Sequence, residues 1–600
     1  MKKSMNCSLS WLIAAGLMAG MAGHAVAAEK KPSPVPRFAG VPVPVTDGEK
    51  RKVVASPEIT VDGKRHRIGY NVILRSGDRA GDGTFGLLLD RKGEPVRNRD
   101  GSRHISVDND FSSLLPRGDR LYMVSHFESR PGAMYLTELK QDKTSGKLRA
   151  VRTGNIDFSA FGGLWVPCAG QVTPWGTHLG SEEYPTDARA TEAAKSMDEI
   201  EEYDKPMARY FGLDPYAPGT TVEDFRRVFK PYRYGYPVEV DVSEDGSPSV
   251  SKHYAMGRLA VELAYVMPDE RTAYISDDGT DVGFFMFVAD RPRDLSSGTL
   301  YAARWNQVHS AHGGYADLQW VNLGHADDAT IRKAIESGVS FSDLFAVAEP
   351  REDATCASGF TAVHTTTGLE CLQVKPGMDR IASRLEARRY AAMKGATTEL
   401  RKEEGITFDP DHRVLYVSMS EVAKGMEDGG KYDRGGPNHI RLPKNKCGVV
   451  YGLDIRPDAT IGSEYVAVNM YGVVAGTPHT YAPDSKYANN TCDINGIANP
   501  DNITFMRGRD TLIIGEDTGS GHQDDAVWAY DINSGSLTRI ETTPYGSETT
   551  SVYYYPDIRG HAYLMSVVQH PYGESDQDKL RDPAEARAYT GYLGPMPAMD

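Results

Sequence analysis

The 600-residue sequence lacks the short motifs that mark the common hydrolases and nucleotide-binding proteins. It has no Gly-x-Ser-x-Gly elbow, no His-Glu-x-x-His zinc site, no EF-hand loop and no phosphate-binding P-loop. Its 16 histidines are scattered along the chain. Because a lone histidine is most often structural, none of them is assigned a catalytic role. Any chemistry must therefore come from residues that the fold brings together.

Positive charge is also in short supply. The chain has 67 Lys and Arg residues against 82 Asp and Glu residues, which gives a formal net charge of −15. A nucleic-acid partner is not expected, because binding a phosphate backbone requires a basic surface. A small phosphate ester remains compatible with this charge, provided that bound metal ions reverse the local field.

Long apolar runs are missing after the first few residues. Lys2 and Lys3 precede an apolar run over about residues 9–21, and the small residues Ala25-Val26-Ala27 follow it. This pattern predicts a secretory signal peptide over residues 1–27, and the lack of an Arg-Arg pair indicates the general secretory route. We therefore expect a periplasmic or secreted protein. No later segment reaches about 18 consecutive apolar residues, so no membrane span is predicted.

Cysteine is scarce, with six residues in the chain. Cys7 lies before the apolar run of the signal peptide, which leaves five in the mature chain. An oxidising compartment favours disulfides, but five cysteines leave at least one unpaired. The unpaired residue is predicted to be Cys168, and the alternative places Cys168 in a disulfide and leaves another cysteine free. The other four lie in loop-like stretches: Cys356, Cys371, Cys447 and Cys492.

Short strand-like segments dominate what is present. They are rich in Val, Ile, Tyr and Phe and are bounded by Gly, Asp and Pro, as in "RLYMVSHF" (120–127), "GFFMFVAD" (283–290) and "TLIIGED" (511–517). A loose module of turn, strand, acidic loop and second strand recurs, which predicts an all-β propeller of six blades over residues 65–600. The alternative is a plain multi-sheet β protein. Residues 28–64 are expected to form an extended lead-in, and helix-like stretches at about 186–232 and 327–400 are expected to be insertions.

Acidic residues recur at the ends of these segments. Glu262 lies within the apolar run "GRLAVELAYV", where an unpaired buried carboxylate would be costly. Carboxylates from several loops at one mouth of a propeller would suit Ca²⁺, and a thiolate among them favours iron as well. Taken singly, each acid is more simply a solvated turn residue. The set comprises Cys168, Glu182, Glu183, Glu262, Asp277, Asp278, Glu403, Glu404, Asp501, Glu516, Asp517 and Glu548.

These residues fall in motifs that resemble the PhoX-type bacterial alkaline phosphatases. The most specific match is "VPCAGQVTPWGTHLGSEEY" (166–184), which is similar to the family signature "NCAGG.TPWGT.L..EE". Further similar segments follow in family order over most of the mature chain: "GYNVILRSGD" (69–78), "DNDF" (108–111), "GRLAVELAYVMPDERTAYISDD" (257–278), "EEGITFDPDHRVLYVS" (403–418), "ANPDNITF" (498–505) and "GSETTSVYYYPD" (546–557).

The resemblance implies a propeller phosphomonoesterase that uses an iron–calcium cluster. It implies that Cys168 bridges iron, and that Glu262 and Glu404 are iron or calcium ligands. Lys402, or the adjacent Arg401, is expected to hold the substrate phosphate in place of a family arginine. By the same resemblance, four further residues are expected to be calcium or shared ligands: Glu183, Asp278, Asp501 and Glu548.

The sequence also departs from the family pattern. The family's "VNHE" box reads "VSHFE" here, which shifts Glu128 by one position, and Val261 stands where a histidine is usual. We expect a monomer that acts on small phosphate esters with calcium and iron as cofactors. Two other readings stay open: a phosphodiesterase or calcium-dependent lactonase on the same scaffold, and a non-catalytic propeller that binds calcium.

Overall fold

The computed structural model describes residues 35–432 and 437–599. The predicted signal peptide and Cys7 lie outside these residues. Before residue 85 the described chain forms seven short strands; β2 and β5 pair with strands near the other end of the chain, and the others pair among themselves. These strands are β1 (Arg37–Phe38), β2 (Val54–Ala55), β3 (Glu58–Val61), β4 (Lys64–Arg67), β5 (Gly69–Arg75), β6 (Arg79–Ala80) and β7 (Gly83–Thr84).

Two four-stranded antiparallel sheets come next. The first runs in the order β11-β10-β9-β8 and the second in the order β12-β13-β14-β15. Their strands are β8 (Asn109–Arg117), β9 (Arg120–Phe127), β10 (Ala133–Gln141), β11 (Leu148–Asn155), β12 (Gln171–Val172), β13 (His178–Gly180), β14 (Val238–Val242) and β15 (Pro248–Lys252).

The middle of the chain forms one large sheet and several small ones. The large sheet begins with the group β16-β17-β19-β20 and continues through β21, whereas β22, β23 and β24 form a separate three-stranded sheet. The strands are β16 (Val261–Val266), β17 (Thr272–Asp277), β18 (Thr280–Val282), β19 (Phe285–Arg291), β20 (Asp294–His309), β21 (Tyr315–Asp327), β22 (Phe345–Ala348), β23 (Thr361–Thr365), β24 (Gly368–Val374) and β25 (Leu400–Arg401).

Three further groups complete the fold. The large sheet continues through β30-β28-β27-β26, β31 to β34 form the next sheet, and β35 to β37 pair with β5. Their strands are β26 (Glu403–Asp409), β27 (Val414–Met419), β28 (Val449–Asp458), β29 (Ser463–Ala467), β30 (Asn469–Ala475), β31 (Pro500–Met506), β32 (Thr511–Glu516), β33 (Ala526–Asp531), β34 (Ser536–Thr542), β35 (Glu548–Ile558), β36 (His561–Gln569) and β37 (Tyr589–Pro597).

The successive four-stranded antiparallel groups confirm the predicted all-β, propeller-like fold. The blade count of six stays a prediction, because β21 joins the third and fourth groups into one continuous sheet. The pairing of β5 with β37 joins the beginning of the described chain to its end within the last group. Apolar side chains of neighbouring groups pack against one another; β16 and β17, for example, are buried along their whole length.

The α-helices of the described residues all lie within the two segments expected to be insertions. They are α1 (Ala188–Ala193), α2 (Val222–Val228), α3 (Asp328–Glu336), α4 (Phe341–Leu344), α5 (Asp379–Leu385) and α6 (Ala387–Met393). Short 3₁₀ helices occur at Ser159–Phe161, Met197–Glu199, Lys205–Phe211, Pro231–Arg233, Tyr254–Met256, Ala311–Gly313, Lys424–Met426 and Gln577–Lys579. No helix within residues 35–432 and 437–599 has the length and apolar character needed to cross a bilayer.

The cysteines divide as predicted. Cys356 forms a disulfide with Cys371, and Cys447 forms one with Cys492. Cys168 is buried and unpaired. The alternative with Cys168 in a disulfide is therefore wrong, and the thiol is left free for another role.

Candidate metal centre

Four strands share one device near their starts, a β-bulge that carries an acidic residue. In β8, β16, β26 and β31, two consecutive residues face a single residue of the neighbouring strand. A bulge of this kind bends the strand and redirects a side chain. The first of the two bulged residues is acidic in each strand: Asp110, Glu262, Glu404 and Asp501.

These bulges and three neighbouring loops bring their acids together around Cys168. Three groups with ligand atoms within 4.8 Å of one another form a chain: Asp110, Glu128 and Cys168, then Cys168, Glu183 and Glu262, then Glu262, Glu404 and Asp501. Cys168 and Glu262 each belong to two groups, so they connect the three groups to one another. We call these seven residues the central cluster.

The central cluster is strongly acidic, and all of its residues are buried except Glu128, which is half-buried. Burial raises the pKa of Glu262 well above its usual range, and repulsion from Glu404 and Asp501 raises it further. Burial, and in part the Asp278 carboxylate, raise the pKa of Glu404 to about 7. Burial likewise raises that of Glu128 to about 7. So many carboxyl groups share one site only if protons or bound cations neutralise them.

Two orphaned oxygens show that this cluster fits a metal. Oδ1 of Asp110 and Oε1 of Glu262 are buried and have no hydrogen-bond partner in the described protein. A buried carboxylate oxygen without a partner lowers the stability of the fold by about 1–3 kcal/mol, unless a cation binds it. The donor set of six carboxylates and one thiol suits hard oxygen-loving cations beside a metal that accepts sulfur.

The Cys168 thiol lies inside this acidic environment. Its Sγ is 3.3 Å from Oδ2 of Asp110. Burial, followed by repulsion from Asp110 and Glu262, raises the pKa of the thiol well above its ordinary value. A thiolate at this position therefore requires a bound metal cation, since coordination deprotonates a thiol outright.

A buried chain of hydrogen bonds supports the loop that carries Cys168. Nδ1 of His126 contacts the carbonyl oxygen of Cys168, and Nε2 of His126 lies 2.6 Å from Nε2 of His178. Nδ1 of His178 lies 2.7 Å from the hydroxyl of Ser113. Because a carbonyl only accepts, His126 must donate from Nδ1, and neutral His178 must donate from Nε2 and accept from Ser113. One tautomer of each ring thus holds the Cys168 backbone.

The acids next to the central cluster have a different environment. Glu182 accepts hydrogen bonds from the Lys252 ammonium at 2.8 Å and from the Trp165 and Gly235 amides. Asp277 pairs with the Arg388 guanidinium, and Glu516 accepts from His522 and Trp528. Glu403 accepts a long bond from the Asp277 amide, but its Oε1 is buried without a hydrogen-bond partner and burial raises its pKa well above the usual range, so it is intermediate between the two environments. We call these residues the anchor acids: Glu182, Asp277, Glu403 and Glu516.

The two predicted phosphate-binding cations take different positions. Nζ of Lys402 lies 3.3 Å from Glu404 and 3.1 Å from Asp517. Burial lowers the pKa of Lys402, but Glu404 and Asp517 outweigh it, so the pKa stands well above its usual value. Arg401 points away from the cluster, with Nε 3.0 Å from Glu421 and Nη1 3.1 Å from the Gly279 carbonyl. Lys402 is therefore the better placed of the two.

The remaining predicted ligands lie at the edge of the central cluster. Asp278 accepts a short hydrogen bond from the Tyr184 hydroxyl, and Glu548 lies 3.3 Å from Nε2 of His570. The sequence prediction omitted Asp110 and Glu128 from the ligand set, although both belong to a potential metal group. Asp110 lacked the signal of Glu262, since its strand is buried but contains several polar residues.

Comparison with known proteins finds a matching family and a solved structure with a similar fold. The family model described as alkaline phosphatase PhoX matches residues 133–572. The structure titled as Pseudomonas fluorescens PhoX in complex with vanadate, a transition state analogue, is similar with a TM-score of 0.59 and 19% identity, over 93% of this chain and 98% of that one. This similarity supports the fold.

Other solved structures are similar at a lower level. A putative 6-phosphogluconolactonase from Bacteroides uniformis gives a TM-score of 0.27 at 13% identity, covering 72% of this chain and 85% of that one. The periplasmic gluconolactonase of Pseudomonas aeruginosa gives 0.28 at 13% identity, covering 80% and 96%. Scores this low support no argument about activity. The search of curated proteins gives no significant match.

Proposed function

The chain belongs to the alkaline phosphatase PhoX family and is a phosphatase-type hydrolase, and we propose that it releases inorganic phosphate from phosphate monoesters with iron and calcium held by the central cluster. The observation that carries this proposal is the chain of ligand groups joined through Cys168 and Glu262. Its acids have raised pKa values, and two of its oxygens have no protein partner. Bound cations would satisfy both features.

The residues divide the proposed metal set by chemistry. Cys168, with Glu183 and Glu262, would hold iron, because a thiolate among carboxylates favours a metal softer than calcium. Glu404 and Asp501 offer oxygen atoms alone and would hold calcium, which Asp278 and Glu548 would complete from the edge of the cluster. When bound, such cations supply Lewis-acid stabilisation of the charge on a transferring phosphoryl group.

The protein's own residues would bind and orient the ester. Lys402 would neutralise one phosphate oxygen, releasing part of its present contact with Asp517. In the hydrolysis, the ester P–O bond breaks, water supplies the oxygen that joins phosphorus, and the leaving oxygen takes a proton. No side-chain nucleophile is needed, in agreement with the lack of a serine or aspartate motif in the sequence.

The remaining expectations belong to the same proposal. The protein would leave the cytoplasm through its signal peptide and act as a periplasmic or secreted monomer on small phosphate esters. Lys252 and Arg388 face anchor acids within the fold rather than a ligand surface. The overall negative charge again opposes nucleic acid as a partner.

Elemental analysis of the purified protein tests the proposal. Wild type is expected to contain iron and calcium, and Cys168→Ala is expected to lose iron while keeping its disulfides and its fold. Cys168→Ser is the matched control for side-chain size. Calcium alone in the wild type, unchanged by either substitution, would overturn the iron-bridging role of Cys168.

Turnover separates the competing activities. Hydrolysis of phosphate monoesters that stops on calcium removal and returns on calcium addition is the expected result. Faster hydrolysis of diesters or lactones than of monoesters would favour the other hydrolase readings. Metal binding without any turnover would leave a calcium-binding propeller.

A further inference from the structure

A cavity of about 950 Å³ lies beside the central cluster. Tyr184, Gly279 and Arg401 are among the residues that line it. Gly279 directly follows Asp278, and its carbonyl oxygen accepts from the Lys402 amide at 2.9 Å, so the cavity adjoins the proposed phosphate site. The Tyr184 hydroxyl contacts the Asp278 carboxylate while its ring lines the cavity. We call this cavity the side pocket.

The outer part of the side pocket carries positive charge. Arg351 and Lys431 line it, and both are exposed. Lys424 and Lys431 also approach the ring of Tyr432, with their Nζ atoms 5.5 Å and 5.2 Å from its centroid. Two acids, Asp281 and Glu352, line the same cavity. Cations facing an open cavity stand out in a chain whose net charge is −15.

Arg351 is the most available of these cations. Its guanidinium donates from Nη1 to the Thr355 hydroxyl at 3.3 Å, and it forms no ion pair with a carboxylate of the described residues. Arg401, in contrast, is held by Glu421. The Asp353 carboxylate interacts with Arg351 electrostatically without forming an ion pair. An arginine that faces a cavity and forms no ion pair can bind an anionic ligand group with two parallel hydrogen bonds.

We propose that the side pocket binds the leaving group of the ester and that Arg351 recognises a second anionic group on it. The proposal rests on the proposed phosphatase function. With the ester phosphate beside Lys402, the organic part can extend past Tyr184 and Gly279 into the side pocket. The volume is that of a typical small-ligand site. The expected class of substrate is therefore a phosphate monoester that carries another phosphate or carboxylate.

Steady-state kinetics with two substrates tests this assignment. The kcat/KM for fructose 1,6-bisphosphate is divided by that for p-nitrophenyl phosphate, whose leaving group has no further acid. In Arg351→Gln this ratio is expected to fall by about fivefold, as expected for loss of one partly exposed charge contact. The same substitution at exposed Arg149, on β11, controls for the change in net charge and should leave the ratio unchanged.

Binding measurements distinguish failure of the side-pocket assignment from failure of the proposed phosphatase function. Calorimetric titration with the bisphosphate should show weaker binding to Arg351→Gln than to wild type and to Arg149→Gln. Equal ratios and equal affinities in all three proteins would overturn the side-pocket assignment even if every ester were hydrolysed. Absence of turnover in the wild type, with binding that still depends on Arg351, would instead overturn the proposed phosphatase function.

Discussion

Glu182 and Glu183 are neighbours in the chain, yet their environments are opposite. Glu182 is an anchor acid whose carboxylate accepts from the buried Lys252 ammonium and from backbone amides. Glu183 belongs to the central cluster, where burial and then Glu262 and Asp278 raise its pKa well above the usual range. Successive side chains of an extended backbone point in opposite directions, so one residue faces the protein and the next faces the cluster.

The same division recurs at three other places in the fold. Asp277, Glu403 and Glu516 face the surrounding structure as anchor acids. The next residues, Asp278, Glu404 and Asp517, face the cluster or its edge. The comparison shows that residue type does not separate a structural acid from a ligand acid. The side of the backbone on which the carboxylate lies decides between the two environments. In Glu182 and Asp277 a protein cation also pairs with the carboxylate.

The largest expected effect on stability is that of a substitution at the anchor acid Glu182. Glu182→Gln would leave the Lys252 ammonium buried beside a neutral amide, because Lys252 is fully buried. The free energy of unfolding should fall by about 3–5 kcal/mol, as for other broken buried ion pairs. Urea unfolding measures it, and Glu182→Gln combined with Lys252→Met should recover part of the loss. A loss below about 1 kcal/mol would contradict the assignment.

The next effect concerns pH and the metal-free protein. Glu128 and Glu404 have pKa values of about 7, above the ordinary 4.5, so the folded protein binds their protons more tightly than the unfolded chain does. Their stabilising contribution is therefore full below pH 4.5 and is lost as the pH rises through 7. The loss is on the order of 3 kcal/mol for each group.

Urea unfolding in the presence of a chelator, at pH 5 and pH 8, measures this dependence. Stability should be higher at pH 5, and added calcium should remove most of the difference by neutralising the cluster. Metal-free protein with equal stability at both pH values would show that these carboxyl groups are not coupled as the structure indicates.

A smaller effect is expected from the histidines behind Cys168. His126→Gln would interrupt the hydrogen-bond chain to the Cys168 carbonyl while leaving every proposed ligand in place. Iron retention during dialysis against a chelator should fall by about tenfold, in the range found for residues that orient metal ligands. His104 lies outside this series of hydrogen bonds, so His104→Gln is the matched control. Equal iron retention in both variants would assign His126 a packing role alone.

The smallest effect is expected on the cluster side of the opening pair, with opposite sign. Glu183→Gln removes an ionisable carboxyl group from the metal-free cluster, so its share of the repulsion is lost and the free energy of unfolding should rise by about 1 kcal/mol at pH 8. The same substitution at Glu182 is its control, since it should destabilise the protein. If both substitutions destabilise the metal-free protein equally, the distinction between the two acids fails.

Part of this arrangement could be predicted from sequence. The strand pattern predicted the fold class, and the odd cysteine in a secreted chain predicted that Cys168 is free; the structure confirms both. Glu262 was conspicuous because an acid interrupts an apolar strand. The roles of these residues as metal ligands stay predictions.

Other features depend on contacts that sequence does not display. Asp110 and Glu128 enter a ligand group because a bulge and a neighbouring loop redirect them, and bulges have no reliable sequence signal. The sequence alone could not show which of the neighbours Lys402 and Arg401 faces the central cluster. Lys402 has a positive φ of 48°, and its side chain lies by Glu404 and Asp517, whereas Arg401 is drawn to Glu421.

The pairing of β5 with β37 has a consequence for the order of assembly. Asn71 on β5 donates to the carbonyl of Gly594 on β37, across a separation of 523 residues. Contacts that distant form late, because the chain must first close a very long loop. Glu548 lies on β35, in the sheet that this pairing completes. The sheet that carries Glu548 is therefore unfinished while the chain is still under synthesis, and it is completed only when the last strand of the fold meets one of the first.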